Sequence, residues 1–112
     1  MSRKAPSLRR RKYAPIFAAL GDETRLALVA KLSTGKPSSI ARLTEGTRLT
    51  RQAVTKHLRV LEDARIVRSM RAGRESLFEL DPAPIRQVGE YADVVSERWD
   101  QALARLNTFV ER

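Results

Sequence analysis

Thr50-Arg51-Gln52-Ala53-Val54-Thr55-Lys56-His57-Leu58-Arg59-Val60-Leu61-Glu62 is the stretch whose reading decides the fold. Val54, Leu58 and Leu61 recur at i, i+4 and i+7, an apolar stripe suited to a core. The opposite stripe holds Gln52, Thr55, Lys56 and Arg59, with Arg51 at the start and no acid before Glu62. Thr50 is a good N-cap, so the pattern predicts a helix from Arg51 to about Ala64. A merely solvated helix face mixes both signs of charge, whereas this one offers donors and small polar groups. Such groups suit phosphates and base edges: Arg grips guanine, Gln grips adenine, and Thr meets a thymine methyl.

Working outward, a shorter helix is expected to begin at Ser38 or Ser39, with Ile40 and Leu43 inward and a stop near Gly46. Thr47 to Leu49 then form a tight connection, giving a helix–turn–helix over about residues 39–64. Upstream, a helix from Tyr13 carries Ile16, Phe17 and Leu20 and stops at Gly21; Asp22 caps another, with Leu26, Val29 and Leu32 inward. Downstream the apolar period changes from 3.6 to 2, and Ile66–Met70 and Ser76–Leu80 read as strands of a β-hairpin over about residues 66–80. Its turn is Arg71-Ala72-Gly73-Arg74, and Phe78 and Leu80 point inward. Asp81-Pro82 restarts a helix over residues 82–110, whose Ile85, Val88, Ala92, Val95, Trp99, Ala102, Leu106 and Phe109 make a heptad seam. That seam is longer than a small core needs, so pairing with a second copy is expected, with Ile16, Phe17 and Leu20 alongside. The fold class is mainly α (α+β).

The chain of 112 residues suits one domain, over residues 13–112, and its lack of cysteine excludes disulfides and thiolate metal sites. Its net charge of +9 is unevenly spread. Residues 1–12 carry six basic and no acidic side chains, residues 36–74 ten against three, and residues 82–112 four against five. A polyanion is expected to dock on the first two-thirds, and the near-neutral end to have another task. Residues 1–12 read as a tail that is disordered until bound, either an arm along the minor groove or a source of non-specific attraction. Neither a membrane-length apolar run nor a signal segment is read, so a cytoplasmic, nucleoid-associated protein is expected.

Three segments together carry a resemblance: Gly21-Asp22-Glu23-Thr24-Arg25, the stretch from Thr50 to Glu62, and Arg71-Ala72-Gly73-Arg74-Glu75. Over about residues 13–110 the chain resembles the ArsR family of bacterial winged-helix repressors. The resemblance implies a dimeric transcription regulator on a pseudo-palindromic double-stranded DNA operator, with its wing at the hairpin around Gly73 and its dimer contacts on the first and last helices. The expected DNA-binding residues are Thr50, Arg51, Gln52, Thr55, Lys56, His57 and Arg59, with Arg68, Arg71 and Arg74 from the wing. Family members commonly have glycine where Arg65 stands. Either the helix ends differently here, or Arg65 contacts a phosphate.

The family's metal-sensing branch uses a Cys-x-Cys pair near the third helix, or His and Asp ligands on the last. Here His57 is the sole histidine, and one imidazole cannot build a zinc or nickel site; it reads as a half-buried residue beside Leu58, hydrogen-bonded locally or to a DNA phosphate. No metal, cofactor or catalytic set is expected, and no effector is readable. The stripe Glu90, Asp93, Glu97 and Asp100 reads as a solvated flank rather than a calcium site. The competing reading is a non-specific or architectural nucleic-acid binder held by charge alone.

Overall fold

The computed structural model describes residues 9–111. Its elements are α1 (Arg10–Leu20), α2 (Glu23–Leu32), β1 (Ser38–Ser39), α3 (Ile40–Thr44), α4 (Arg51–Asp63), β2 (Val67–Ala72), β3 (Glu75–Leu80) and α5 (Pro82–Val110). Leu28, Leu32, Leu43, Val54, Leu58, Leu61 and Ile66 are fully buried where α2, α3, α4 and the start of the hairpin meet. Tyr13, Ile16 and Ala19 of α1 and Val88 of α5 close this core.

Local chemistry sets most boundaries. The side chains of Asp22, Ser39, Thr50 and Asp81 each accept a backbone N–H of the helix they precede, satisfying donors that have no partner within the helix. Lys31 Nζ donates to the carbonyls of Leu43 (3.1 Å) and Glu45 (3.4 Å), closing the C-terminal end of α3 onto α2. The sheet is antiparallel in the order β1-β3-β2, with Ser69 opposite Phe78 and Ala72 opposite Glu75. Gly73, with φ of 65°, is the first of two residues joining β2 to β3, a position where a tight hairpin turn calls for glycine.

Several sequence expectations need correction. Helix α1 starts at Arg10, not Tyr13, so Arg10, Arg11 and Lys12 are helical; Tyr13, buried against Tyr91 at 5.0 Å between ring centroids, anchors the turn before it. Residues 1–8 of the expected tail lie outside the described residues. Leu26 is exposed, because Arg25 takes the inward place on α2 with Leu28 and Leu32 below it. The hairpin is tighter than expected: Arg71 and Ala72 extend β2, and Ile66 lies in the turn between α4 and β2, its N–H donating to Leu61 O and its carbonyl accepting from Asp81 N. The short β1 was not foreseen, since two residues carry no readable period.

The end of α4 resolves the first alternative at Arg65. The N–H of Ile66 donates to Leu61 O and that of Arg65 to Glu62 O, both at 2.9 Å. This is the Schellman arrangement, which needs a left-handed residue after the cap. Arg65 adopts φ of 61°, alone among the described non-glycine residues. The helix therefore ends in the usual way, with arginine held where glycine fits better.

The 29-residue α5 spans about 44 Å at 1.5 Å per residue. Its first turns pack on α1, but Val95, Trp99, Leu103, Leu106, Phe109 and Val110 are exposed. The radius of gyration is 18.7 Å, against about 13 Å for a compact chain of 100 residues. The second half of α5 projects from the body as an amphipathic helix whose apolar side is left uncovered among the described residues.

Candidate nucleic-acid interface

The reading face expected from the sequence stands on the outside of α4. Arg51, Gln52, Lys56 and Arg59 are exposed, while Val54, Leu58 and Leu61 are completely buried beneath them. Among the described residues, none of these four polar side chains donates to a protein acceptor. Thr55 is half-buried, and its hydroxyl donates to Arg51 O at 2.7 Å. Its proton is thereby committed, leaving a methyl group and an acceptor lone pair to meet a ligand. Thr50 Oγ1 accepts the Ala53 N–H at 3.0 Å, so its first role is to cap the helix.

Glu62 does not interrupt this basic surface. Its Oε2 accepts from Ser69 Oγ at 2.7 Å, fastening the hairpin to the side of the helix. That bond was not legible from the sequence, where Glu62 and Ser69 belong to different periods. At the hairpin tip, Arg71 and Arg74 are exposed and have no protein partner among the described residues. Arg68 sits lower on β2 and differs: its Nε donates to Glu79 Oε1 at 2.6 Å across the ladder. The Glu79 hydrogen bond raises the Arg68 guanidinium above its usual range.

His57 is half-buried and takes the local one of its two expected partners, a protein group rather than a phosphate. Its ring turns inward from α4, with Nδ1 at 3.2 Å from Arg25 Nη1 and 3.8 Å from Asp22 Oδ2. Arg25 Nε donates to Ala19 O at 2.6 Å and Nη2 to Ala18 O at 3.4 Å. Arg25 thus joins the end of α1, the start of α2 and the middle of α4. The Asp22 carboxyl lies below the usual carboxylate value, chiefly because it accepts the Arg25 N–H, with Arg25 and His57 charges assisting. Arg25 was missed as a site residue; its membership of the Gly21–Arg25 segment was the only available signal.

The residues expected at a dimer interface divide. Ile16 and Val88 are buried in the monomer's own core, Leu20 is half-buried, and Phe17 is partly exposed beside Tyr91. Ile16 and Val88 are corrected accordingly: each is consumed by packing α1 on α5 within one chain. Val95, Trp99, Leu106 and Phe109 remain on the surface, Trp99 at 63% and Phe109 at 75% exposure; Ala92 is exposed and Ala102 half-buried. Among the described residues no three His, Asp or Glu side chains gather as a cation site, the acidic stripe of α5 included.

A capped helix with a basic outer face, a preceding short helix and a basic hairpin beside it define a winged helix–turn–helix protein. A helix-turn-helix domain model matches residues 20–69. The HTH-type transcriptional regulator Rv2034 of Mycobacterium tuberculosis is 41% identical over 66 residues, 59% of this chain and 61% of that protein. The arsenical resistance operon repressor of Bacillus subtilis is 31% identical over 71 residues, 63% of this chain and 68% of that one. An ArsR-like transcriptional regulator from Rhodococcus sp. RHA1 superposes with a TM-score of 0.76 at 29% identity, covering 88% of this chain and 92% of that one. The chain belongs to the ArsR family of winged helix–turn–helix transcriptional regulators. Its relatives are regulators rather than enzymes, and among the described residues no helix is long and apolar enough to cross a membrane.

Proposed function

We propose that the protein is a homodimeric, sequence-specific repressor acting at a pseudo-palindromic operator in the cytoplasm. The observation that carries this is the two-sidedness of α4: one side completely buried, the other presenting Arg51, Gln52, Lys56 and Arg59 without acids beside them on the helix or protein partners among the described residues. Arg51 and Gln52, in the first turn, are the base readers, as befits the N-terminal part of a recognition helix. Thr55 offers its methyl to thymine. Lys56, Arg59, Arg71 and Arg74 hold phosphates, and Arg68 contributes through the pair it makes with Glu79.

The partner copy docks on the exposed stripe of α5, chiefly Val95, Trp99, Leu106 and Phe109, with Phe17 beside it. Exposed apolar surface of this continuity marks an interface. Two-fold symmetry then sets two reading helices about 34 Å apart, one turn of DNA. Repression follows where the operator overlaps a promoter. With no cysteine in the chain, thiolate capture of a soft ion is not its release signal.

The test is selection of duplexes from a randomised pool, followed by affinities for the enriched duplex and for random DNA at one salt concentration. Gln52→Ala is expected to weaken the enriched duplex by about ten-fold while leaving random DNA almost unchanged. Equal losses on both would support the architectural reading instead.

A further inference from the structure

The contact between His57 and Arg25 constrains where a proton can sit. A guanidinium has donors and no acceptor. With Arg25 Nη1 at 3.2 Å, the Nδ1 of His57 must therefore supply a lone pair, and the ring's proton is on Nε2. The same Arg25 is held on its other edges by Ala18 O and Ala19 O of α1. One side chain thus fixes the reading helix to the helix that packs on α5.

We propose that His57 is a positioning residue for operator recognition, and that it aims α4 only while its Nδ1 is unprotonated. This rests on the operator-reading function proposed above. Protonation places two donors and two positive charges face to face at the Arg25 contact. Asp22 Oδ2, 3.8 Å from the same nitrogen, is the acceptor to which the imidazolium turns. From α2, Asp22 and Arg25 are the charged groups facing the ring. Among the described residues, α1, α3 and β2 add no ion pair or hydrogen bond to it. Exchanging Arg25 for Asp22 leaves Arg25 on α1 but unties it from α4. Base reading tolerates only about 0.5 Å of misplacement, so it suffers, while phosphate attraction persists. Histidine as a residue type changes charge near neutral pH, so the joint is tested by comparing two pH values.

The experiment takes the full chain and a duplex enriched from a randomised pool at about pH 8. The ratio of affinity for that duplex to affinity for random DNA is measured there and at about pH 5.5 at constant ionic strength, which cancels the general gain in charge. For the wild-type protein the ratio is expected to fall by about ten-fold on acidification, the loss of one charged hydrogen bond. His57→Asn, whose amide oxygen takes the place of Nδ1 and gains no proton, should keep its ratio at both pH values. His57→Gln serves where the asparagine variant fails to fold. Circular dichroism at each pH separates unfolding from misaiming. A wild-type ratio that does not change, or that falls equally in the folded variant, overturns the proposal. Failure to enrich any duplex at about pH 8 overturns the operator reading itself, and this proposal with it.

Discussion

Arg65→Gly should make this protein more stable, although it removes a large side chain. At φ of 61° Arg65 occupies the left-handed region at the C′ position of α4, and both Schellman hydrogen bonds, at 2.9 Å, depend on its staying there. A residue with a β-carbon stores about 1–2 kcal/mol in that conformation. Glycine has no such strain, but its unfolded form is freer, which costs about 0.5–1 kcal/mol. The difference is a net gain of about 0.5–1 kcal/mol, or about 2–8 °C in melting temperature for a domain of this size. Urea denaturation of wild type, Arg65→Gly and Arg65→Ala at one protein concentration measures it. Alanine keeps the β-carbon and should remain within about 0.5 kcal/mol of wild type. A glycine variant no more stable than the alanine variant would refute the strain argument. The same variants address the phosphate alternative. Arg65 lies near Lys12, Asp63 and Asp81, at the opposite end of α4 from Arg51. The slope of DNA affinity against salt should therefore be unchanged in Arg65→Gly, whereas a phosphate contact would lower it by about one unit.

Trp99→Glu is expected to raise the dimer dissociation constant at least about ten-fold. Sedimentation equilibrium reads this directly, and an unchanged mass distribution would place the interface elsewhere. Arg71→Ala should lower the salt slope of DNA binding by about one unit, and Arg68→Ala by less, because the Arg68 guanidinium is already shared with Glu79. Asp22→Asn keeps a capping side chain and removes the charge. Since the folded Asp22 carboxyl lies below 3.8, its stabilisation is complete above that pH and disappears as the pH falls through the folded value. Urea midpoints of Asp22→Asn should therefore lie below wild type at neutral pH and converge with it in acid; a gap that persists or widens in acid contradicts this.

Periodicity and capping are local properties, and they made α4 and its two faces legible in the sequence. Thr50 as cap, Val54, Leu58 and Leu61 as the buried stripe, and Arg51, Gln52, Lys56 and Arg59 outside all follow from a repeat of 3.6 residues. The hairpin was legible for the same reason, through a period of 2 and Gly73. The segment around Arg25 shows where local rules stop. By pattern Leu26 belongs inside, yet Arg25 goes there, because the carbonyls of Ala18 and Ala19 and the ring of His57 satisfy its donors. Those partners come from two other helices, α1 and α4, and exist as a set only after folding.

The exposed polar face of α4 was thus determined by the sequence alone, since both the polarity and the spacing of its residues reside in one helix. Tertiary structure alone decided which apolar residues remain exposed. Ile16 and Val88 are spent inside the monomer, while Trp99, Leu106 and Phe109 are left exposed on α5. A heptad seam records which residues share a helix face; how far the rest of the chain reaches along that face depends on packing. Tertiary structure likewise turned His57 inward and paired Arg68 with Glu79. Both side chains lie on segments whose charge reads as DNA-facing, and contacts distant in sequence outweigh that pattern.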